Sequence, residues 1–66
     1  MKYRIDFEQE EDGRWLAEIE DLPGVMAYGI SKTDAESSVE AMALRVIADR
    51  IERDHTTMSQ VQFAVA

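Results

Sequence analysis

The sequence has no cysteine, one histidine, one proline and only three glycines. Without cysteine, disulfides and thiolate metal sites are excluded. A single imidazole cannot build a zinc site without carboxylate ligands. The glycines, at positions 13, 24 and 29, form neither a GxGxxG motif nor a phosphate-binding loop, so nothing indicates nucleotide binding. We therefore expect no cofactor and no resident metal.

Long apolar runs are also missing. Met1 and Lys2 lead directly into alternating residues instead of an apolar stretch, so no signal peptide is indicated. The longest helical stretch carries many charges, which argues against a membrane span. We expect a cytoplasmic protein that does not enter membranes.

The small size of the chain favours association with another chain. Residues 1–66 are assigned to a single domain. A chain this short buries only about 60% of the surface that its unfolded form exposes, and without disulfides or metal, oligomerisation is the remaining support. We expect a homodimer or tetramer. Leu44, which lies off the main apolar stripe, and the strand predicted at 61–65 are candidate contacts.

The charge is strongly one-sided. Fourteen acidic residues against seven basic ones give a net charge of -7. A field of this sign repels phosphate backbones, so direct nucleic-acid binding by this chain is not expected. Two interpretations stay open: the acidity keeps a small protein in solution, or it attracts a basic partner.

The first half of the chain predicts a β-hairpin. Apolar and polar residues alternate over 3–8 and again over 15–20, as in half-buried strands, with a turn signal at 10–14 between them.

The register of this hairpin depends on the length of its loop. A two-residue turn at Asp12-Gly13 would place Phe7 opposite Glu18 and mix apolar with charged faces. A three-residue loop at 11–13 places Phe7 opposite Ala17, with the glycine in the left-handed conformation that such loops need. The second register is preferred, and its predicted pairs are Ile5–Ile19, Phe7–Ala17 and Gln9–Trp15.

The second half predicts a short strand, a helix and a last strand. Residues 25–30 form the third strand, and residues 61–65 alternate as a fourth. A helix begins near Ser31, capped either by Ser31 with Asp34 or by Thr33 with Glu36. Its apolar stripe consists of Ala35, Val39, Met42, Ala43, Val46, Ile47 and Ile51.

These elements predict an α+β fold in the order β-β-β-α-β. We expect a small antiparallel sheet with one helix packed on its apolar face. The other face would carry the outward-pointing residues of the hairpin. Four of these are carboxylates: Asp6, Glu8, Glu18 and Glu20.

Such a cluster could bind metal ions, as in two-metal nucleases. However, Arg4 and Leu16 are interspersed among the carboxylates, and no second helix is left to cover this face and exclude water. A solvated face is the preferred interpretation, and we expect no enzymatic activity.

The remaining candidates for chemistry have simpler explanations. His55 follows the predicted helix, where capping or exposure is favoured over catalysis because no orienting partner is evident. Trp15 and Tyr28 could anchor an interface, but the hydrophobic core is the favoured place for both. No catalytic set is predicted.

One series of motifs resembles a known family. A Glu-Asp-Gly turn leads into an aromatic strand. Asp21-Leu22-Pro23-Gly24 and Tyr28-Gly29 follow, and then a Ser/Thr-capped helix. This order resembles the HicB family of bacterial antitoxins over about residues 3–53. The Asp-Leu-Pro-Gly element between hairpin and helix is the most specific part.

The resemblance implies a partial ribonuclease-H-like fold that serves in binding. HicB proteins neutralise HicA, a small basic mRNA-cleaving toxin with a double-stranded-RNA-binding-like fold. An anionic face can compete with RNA phosphate for the basic surface of such a toxin. From the hairpin register, and not from family motifs, we expect the partner to contact Asp6, Glu8, Leu16, Glu18 and Glu20.

The chain departs from the family in one respect. Typical HicB proteins add a C-terminal helix-turn-helix or ribbon-helix-helix domain that binds DNA, and we expect this chain to be a short form without it. Two functions therefore remain: an antitoxin-like module that neutralises a HicA-type toxin, or a solitary self-associating domain with a structural or ligand-sensing role.

Overall fold

A computed structural model describes residues 1–66 as four strands and one helix. They are β1 (Lys2–Gln9), β2 (Trp15–Glu18), β3 (Met26–Gly29), α1 (Lys32–Asp54) and β4 (Gln62–Val65). The strands form one sheet in the spatial order β3-β2-β1-β4, and α1 packs on one side of it. The predicted α+β class and the order β-β-β-α-β are confirmed.

The β1–β2 hairpin has the predicted register. Phe7 pairs with Ala17, and the same ladder continues to the end of β1. The loop is closed by the Glu10 N–H, which donates to the Arg14 carbonyl at 2.7 Å. Gly13 has a φ of 93°, as the three-residue loop requires. Of the other predicted pairs, Gln9–Trp15 is present, whereas Ile5–Ile19 falls beyond the end of β2.

The helix begins where its capping residue predicts. The side-chain oxygen of Ser31 accepts a hydrogen bond from the Asp34 N–H at 3.1 Å, so the first of the two capping alternatives is the one formed. Thr33 lies inside the helix. At the other end, His55 caps α1 in the left-handed conformation with a φ of 54°.

The fourth strand corrects one feature of the predicted sheet. β4 pairs with β1 in parallel, with Tyr3 beside Phe63 and Ile5 beside Val65. The sheet is therefore mixed, and the antiparallel arrangement holds only for β1, β2 and β3. The reason is the direction of the chain: β1 and β3 run one way, α1 returns the other way, and β4 then repeats the direction of β1.

The core lies between the sheet and α1. The helix contributes one buried residue per turn at Ala35, Val39, Ala43 and Ile47. At its start, the backbone of Ala35 lies directly against Gly29 of β3. The sheet and the loop after β2 contribute Tyr3, Ile5, Ala17, Ile19, Leu22 and Val25. Leu44 is exposed. Since only one helix is present, the opposite side of the sheet has no cover.

Candidate functional site: the open face of the sheet

The uncovered side of the sheet, called here the open face, carries the candidate site. Tyr3, Ile5 and Ala17 point into the core, and successive side chains of a strand point to opposite sides. The residues between them therefore share the open face with their cross-strand neighbours. Its members are Lys2, Arg4, Asp6, Glu8, Leu16, Glu18, Met26, Tyr28, Gln62 and Ala64.

Two carboxylates are directly opposed at its centre. Asp6 of β1 pairs with Glu18 of β2, and both are half-buried. Arg4 offsets the charge of Asp6, because the Arg4 Nε lies 3.2 Å from the Asp6 Oδ1. Glu18 has no basic side chain paired with it. Like charges directly opposite each other destabilise a sheet. This pair therefore weakens the fold locally while it concentrates negative charge.

An apolar strip runs beside these carboxylates. Met26 pairs with Glu18, and Tyr28 pairs with Leu16. Tyr28 is 49% exposed and Met26 is 42% exposed, so the expectation that Tyr28 belongs to the core is wrong. The Arg14 guanidinium carbon lies 4.7 Å from the centre of the Tyr28 ring and covers part of it, but the residue stays exposed with this contact in place. Acidic and apolar surface thus lie next to each other.

Glu20 lies at one end of the open face, beyond the last residue of β2. Together with Arg4, Asp6 and Asp21 it lines a shallow concavity of about 250 Å³. Three of the four side chains are carboxylates, so this concavity extends the acidic area. It is lined by no apolar side chain.

The predicted contact residues are thus brought together. Glu8 pairs with Leu16 in the row next to Asp6 and Glu18, so these four share the centre of the face, and Glu20 joins them at its end. Sequence reasoning placed Arg4 on this face, but it missed the contributions of Asp21, Met26 and Tyr28. The alternation of β3 with the core residue Val25 could have placed Met26 and Tyr28 on this side.

The Asp21-Leu22-Pro23-Gly24 motif builds the turn that leads into β3. Leu22 is buried, and its carbonyl accepts a hydrogen bond from the Val25 N–H at 3.0 Å. Pro23 and Gly24 are the two central residues of this turn, and Gly24 has a φ of 83°. Proline followed by a residue of positive φ is the signature of a type II turn. Three of the four motif residues thus have structural roles, and Asp21 faces the concavity.

The carboxylates of the open face do not form a metal centre. No group of three or more histidine, cysteine or acidic side chains is placed to hold a metal ion. A metal site requires oxygen ligands that converge on one point, whereas these side chains are spread along two strands. The arrangement is suited to contact with an extended cationic surface.

The net charge of the chain comes from its first forty residues. Residues 1–40 carry eleven acidic and four basic side chains, which accounts for the entire net charge of -7. Residues 41–54 carry three of each sign, and residues 56–66 carry none. The field of the molecule therefore originates at the first three strands and the beginning of α1.

Comparison of the chain with known protein families, curated proteins and solved structures finds no match. The likeness to HicB antitoxins therefore depends on the turn and helix-start motifs themselves. The helix of the structure is not apolar enough along its length to cross a membrane.

Proposed function

We propose that this chain is a cytoplasmic protein-binding module of the HicB antitoxin type, which neutralises a basic, HicA-type RNA-cleaving toxin. The observation that carries the proposal is the direct opposition of Asp6 and Glu18 on a face that no other element covers. Asp6 is already paired with Arg4, but Glu18 faces this carboxylate without a cation of its own chain beside it. Such an unpaired carboxylate opposite a like charge is expected where an external cation binds.

The composition of the open face supports the same proposal. Interfaces combine a few large apolar or aromatic contacts with polar groups at the rim. Here Leu16, Met26 and Tyr28 form the apolar part, and Asp6, Glu8 and Glu18 lie beside them. A lysine- or arginine-rich surface would gain ion pairs with the carboxylates and would bury the exposed aromatic ring.

The proposal is tested by binding to a HicA-type toxin encoded next to this chain. We expect binding that weakens as salt concentration rises, because the attraction between opposite charges is screened. Addition of the chain should also protect RNA from cleavage by that toxin. Absence of any binding at low salt would overturn the proposal, and so would RNA hydrolysis by the purified chain alone.

A charge reversal with a matched control separates a specific site from general attraction. Glu18→Lys should weaken toxin binding by about tenfold or more, because it places a cation where the toxin's own cations bind. Glu52→Lys changes the net charge equally, but it lies on the exposed last part of α1, away from the open face. The proposal requires this control to bind within about threefold of the unmodified chain. Equal losses for both variants would indicate nonspecific attraction.

The second candidate is a solitary self-associating domain with a structural or ligand-sensing role and no toxin partner. The apolar side chains left exposed away from the open face, Leu44 and Val65 among them, favour it. A small molecule that stays bound to the purified chain and is identified by mass spectrometry would support this function over toxin binding.

A further inference from the structure

β4 is an edge strand without charged residues. It is the last strand in the order β3-β2-β1-β4, so one of its sides has no neighbour. The stretch 56–66, which contains it, carries no acidic or basic side chain, although 32% of the residues in the chain are charged. Natural sheets usually protect such edges with lysine, proline or a bulge. β4 (Gln62–Val65) has neither a charged residue nor a proline.

The unpaired backbone groups of this edge belong to apolar residues. Gln62 and Ala66 donate their N–H groups inward, to the carbonyls of Met1 and Ile5, both at 2.9 Å. Hydrogen-bonding direction alternates along a strand. The N–H and C=O groups of Phe63 and Val65 therefore point outward, away from β1.

The side chains of these two residues are also incompletely covered. Val65 is 52% exposed, and Phe63 is half-buried against the ring of Tyr3, with 6.2 Å between ring centres. Both lie on the same side of the sheet as α1, because they pair with the core residues Ile5 and Tyr3. A neighbouring strand would cover them and would pair their backbone groups at the same time.

The distribution of charge identifies the occupant of this edge. Two copies of the chain, each with a net charge of -7, repel each other over most of their surface. β4 lies in the uncharged segment, so copies can approach there with the least repulsion. A basic partner would instead be attracted to the acidic residues of the open face.

We propose that β4 pairs antiparallel with β4 of a second copy across a two-fold axis, which joins the two four-stranded sheets edge to edge. Such an interface is self-complementary, as two-fold symmetry requires. The axis is perpendicular to the sheet, so both helices lie on one side and both open faces lie on the other. This interface depends on β4 alone and does not depend on the identity of the partner of the open face.

Val65→Pro tests the backbone contact. Proline removes the outward N–H of Val65, but it leaves the inward hydrogen bonds of Gln62 and Ala66 intact, so the monomer should keep its fold. We expect the unmodified chain to sediment at twice its 7.5 kDa mass. The dissociation constant of the variant dimer should be at least about tenfold higher than that of the unmodified dimer, because two symmetry-related hydrogen bonds are lost.

A pair of matched charge substitutions tests the location. Val65→Glu should give monomers, whereas Leu44→Glu should leave the dimer intact, although the two residues are similarly exposed, at 52% and 48%. Circular dichroism checks that each variant is folded. If Val65→Pro does not fold, Val65→Glu alone tests whether β4 forms the interface. Higher salt should strengthen this association, because it screens repulsion between like charges.

Three results would overturn the proposal. These are a monomer at every protein and salt concentration, a folded Val65→Glu variant that still dimerises, and dissociation caused by Leu44→Glu with Val65→Glu unaffected. The last result would place the interface on α1. Salt should strengthen self-association and weaken toxin binding. The two proposals can therefore be tested separately, and the failure of one does not imply the failure of the other.

Discussion

Gly29, at the end of β3, lies directly against the backbone of Ala35 in α1. A Cβ added at Gly29 would meet the Ala35 nitrogen and would come within 2.8 Å of the carbonyl carbon of Asp34. Both atoms belong to the helix backbone and cannot rotate away as a flexible side chain would. The absence of a side chain at position 29 therefore allows the first turn of the helix to lie directly against β3.

Gly29→Ala should lower the free energy of unfolding by about 3 kcal/mol, the upper end of the usual cost of overpacking. Urea unfolding monitored by circular dichroism measures the change. Gly24→Ala is the control: no atom lies within 4 Å of the added Cβ, so only the φ of 83° opposes it. That strain should cost about 1 kcal/mol. A Gly29→Ala variant as stable as the unmodified chain would show that α1 can shift freely.

Loss of the helix cap should be measurable by itself. Ser31→Ala removes the oxygen that accepts the Asp34 N–H and should lower the free energy of unfolding by about 1 kcal/mol. Ser37→Ala, at an exposed position inside α1, should raise the free energy of unfolding by roughly a few tenths of a kcal/mol, because alanine favours the helical conformation. Thermal unfolding of the two variants compares them, and opposite shifts are expected. Equal shifts would mean that the cap contributes nothing.

Neutralising one of the opposed carboxylates should stabilise the fold while it weakens binding. Glu18→Gln removes the repulsion with Asp6 and should raise the free energy of unfolding by about 0.2–1 kcal/mol. Glu52→Gln, on the exposed surface of α1, is the control and should change both quantities little. A loss of stability in Glu18→Gln would show that the carboxylate makes a favourable contact within the chain.

Glu40 should make stability depend on pH. Burial, a hydrogen bond with Glu36 and the charge of Glu36 together raise the pKa of Glu40 above the ordinary glutamate value. The folded state therefore binds this proton more tightly than the unfolded chain does. The resulting stability is present at low pH and decreases as pH rises through the raised pKa of the folded state.

Glu40→Gln should accordingly be more stable than the unmodified chain at neutral pH, and this advantage should vanish well below the usual glutamate pKa of about 4.3. Urea unfolding at a series of pH values gives the difference. Glu36→Gln should have a smaller effect in the same direction, because it removes the neighbouring charge and leaves the burial. If the difference in free energy of unfolding between Glu40→Gln and the unmodified chain were the same at all pH values, it would not arise from the titration of Glu40.

The hairpin was predictable because two independent signals agreed. Alternation fixed which residues of 3–8 and 15–20 face the core, and Gly13 supplied the positive φ that a three-residue loop needs. The cap at Ser31 was predicted only as one of two alternatives. Ser31 and Thr33 both had a carboxylate three residues later, and only the structure shows which side chain meets a free amide.

The parallel pairing of β4 was missed because strand periodicity contains no direction. The pattern at 61–65 shows a half-buried strand, but not which neighbour it joins. Counting the chain reversals, including α1 as one of them, would have given the direction of β4 relative to β1. The position of Tyr28 was missed for a related reason. A large aromatic residue favours the core in general, whereas its place in β3 depends on the alternation from Val25.

The helix is longer than the short strands beneath it. Its 23 residues span about 34 Å at 1.5 Å per residue, and the molecule measures 42 × 18 × 16 Å. Lys32, at the start of α1, lies over the Phe7 ring of β1, so the helix starts at the acidic hairpin end and finishes at the electrically balanced end. The protein is thus an elongated particle whose net charge lies away from the end of α1. An approaching cationic surface would exert a torque on it and rotate the hairpin end forward before any contact forms.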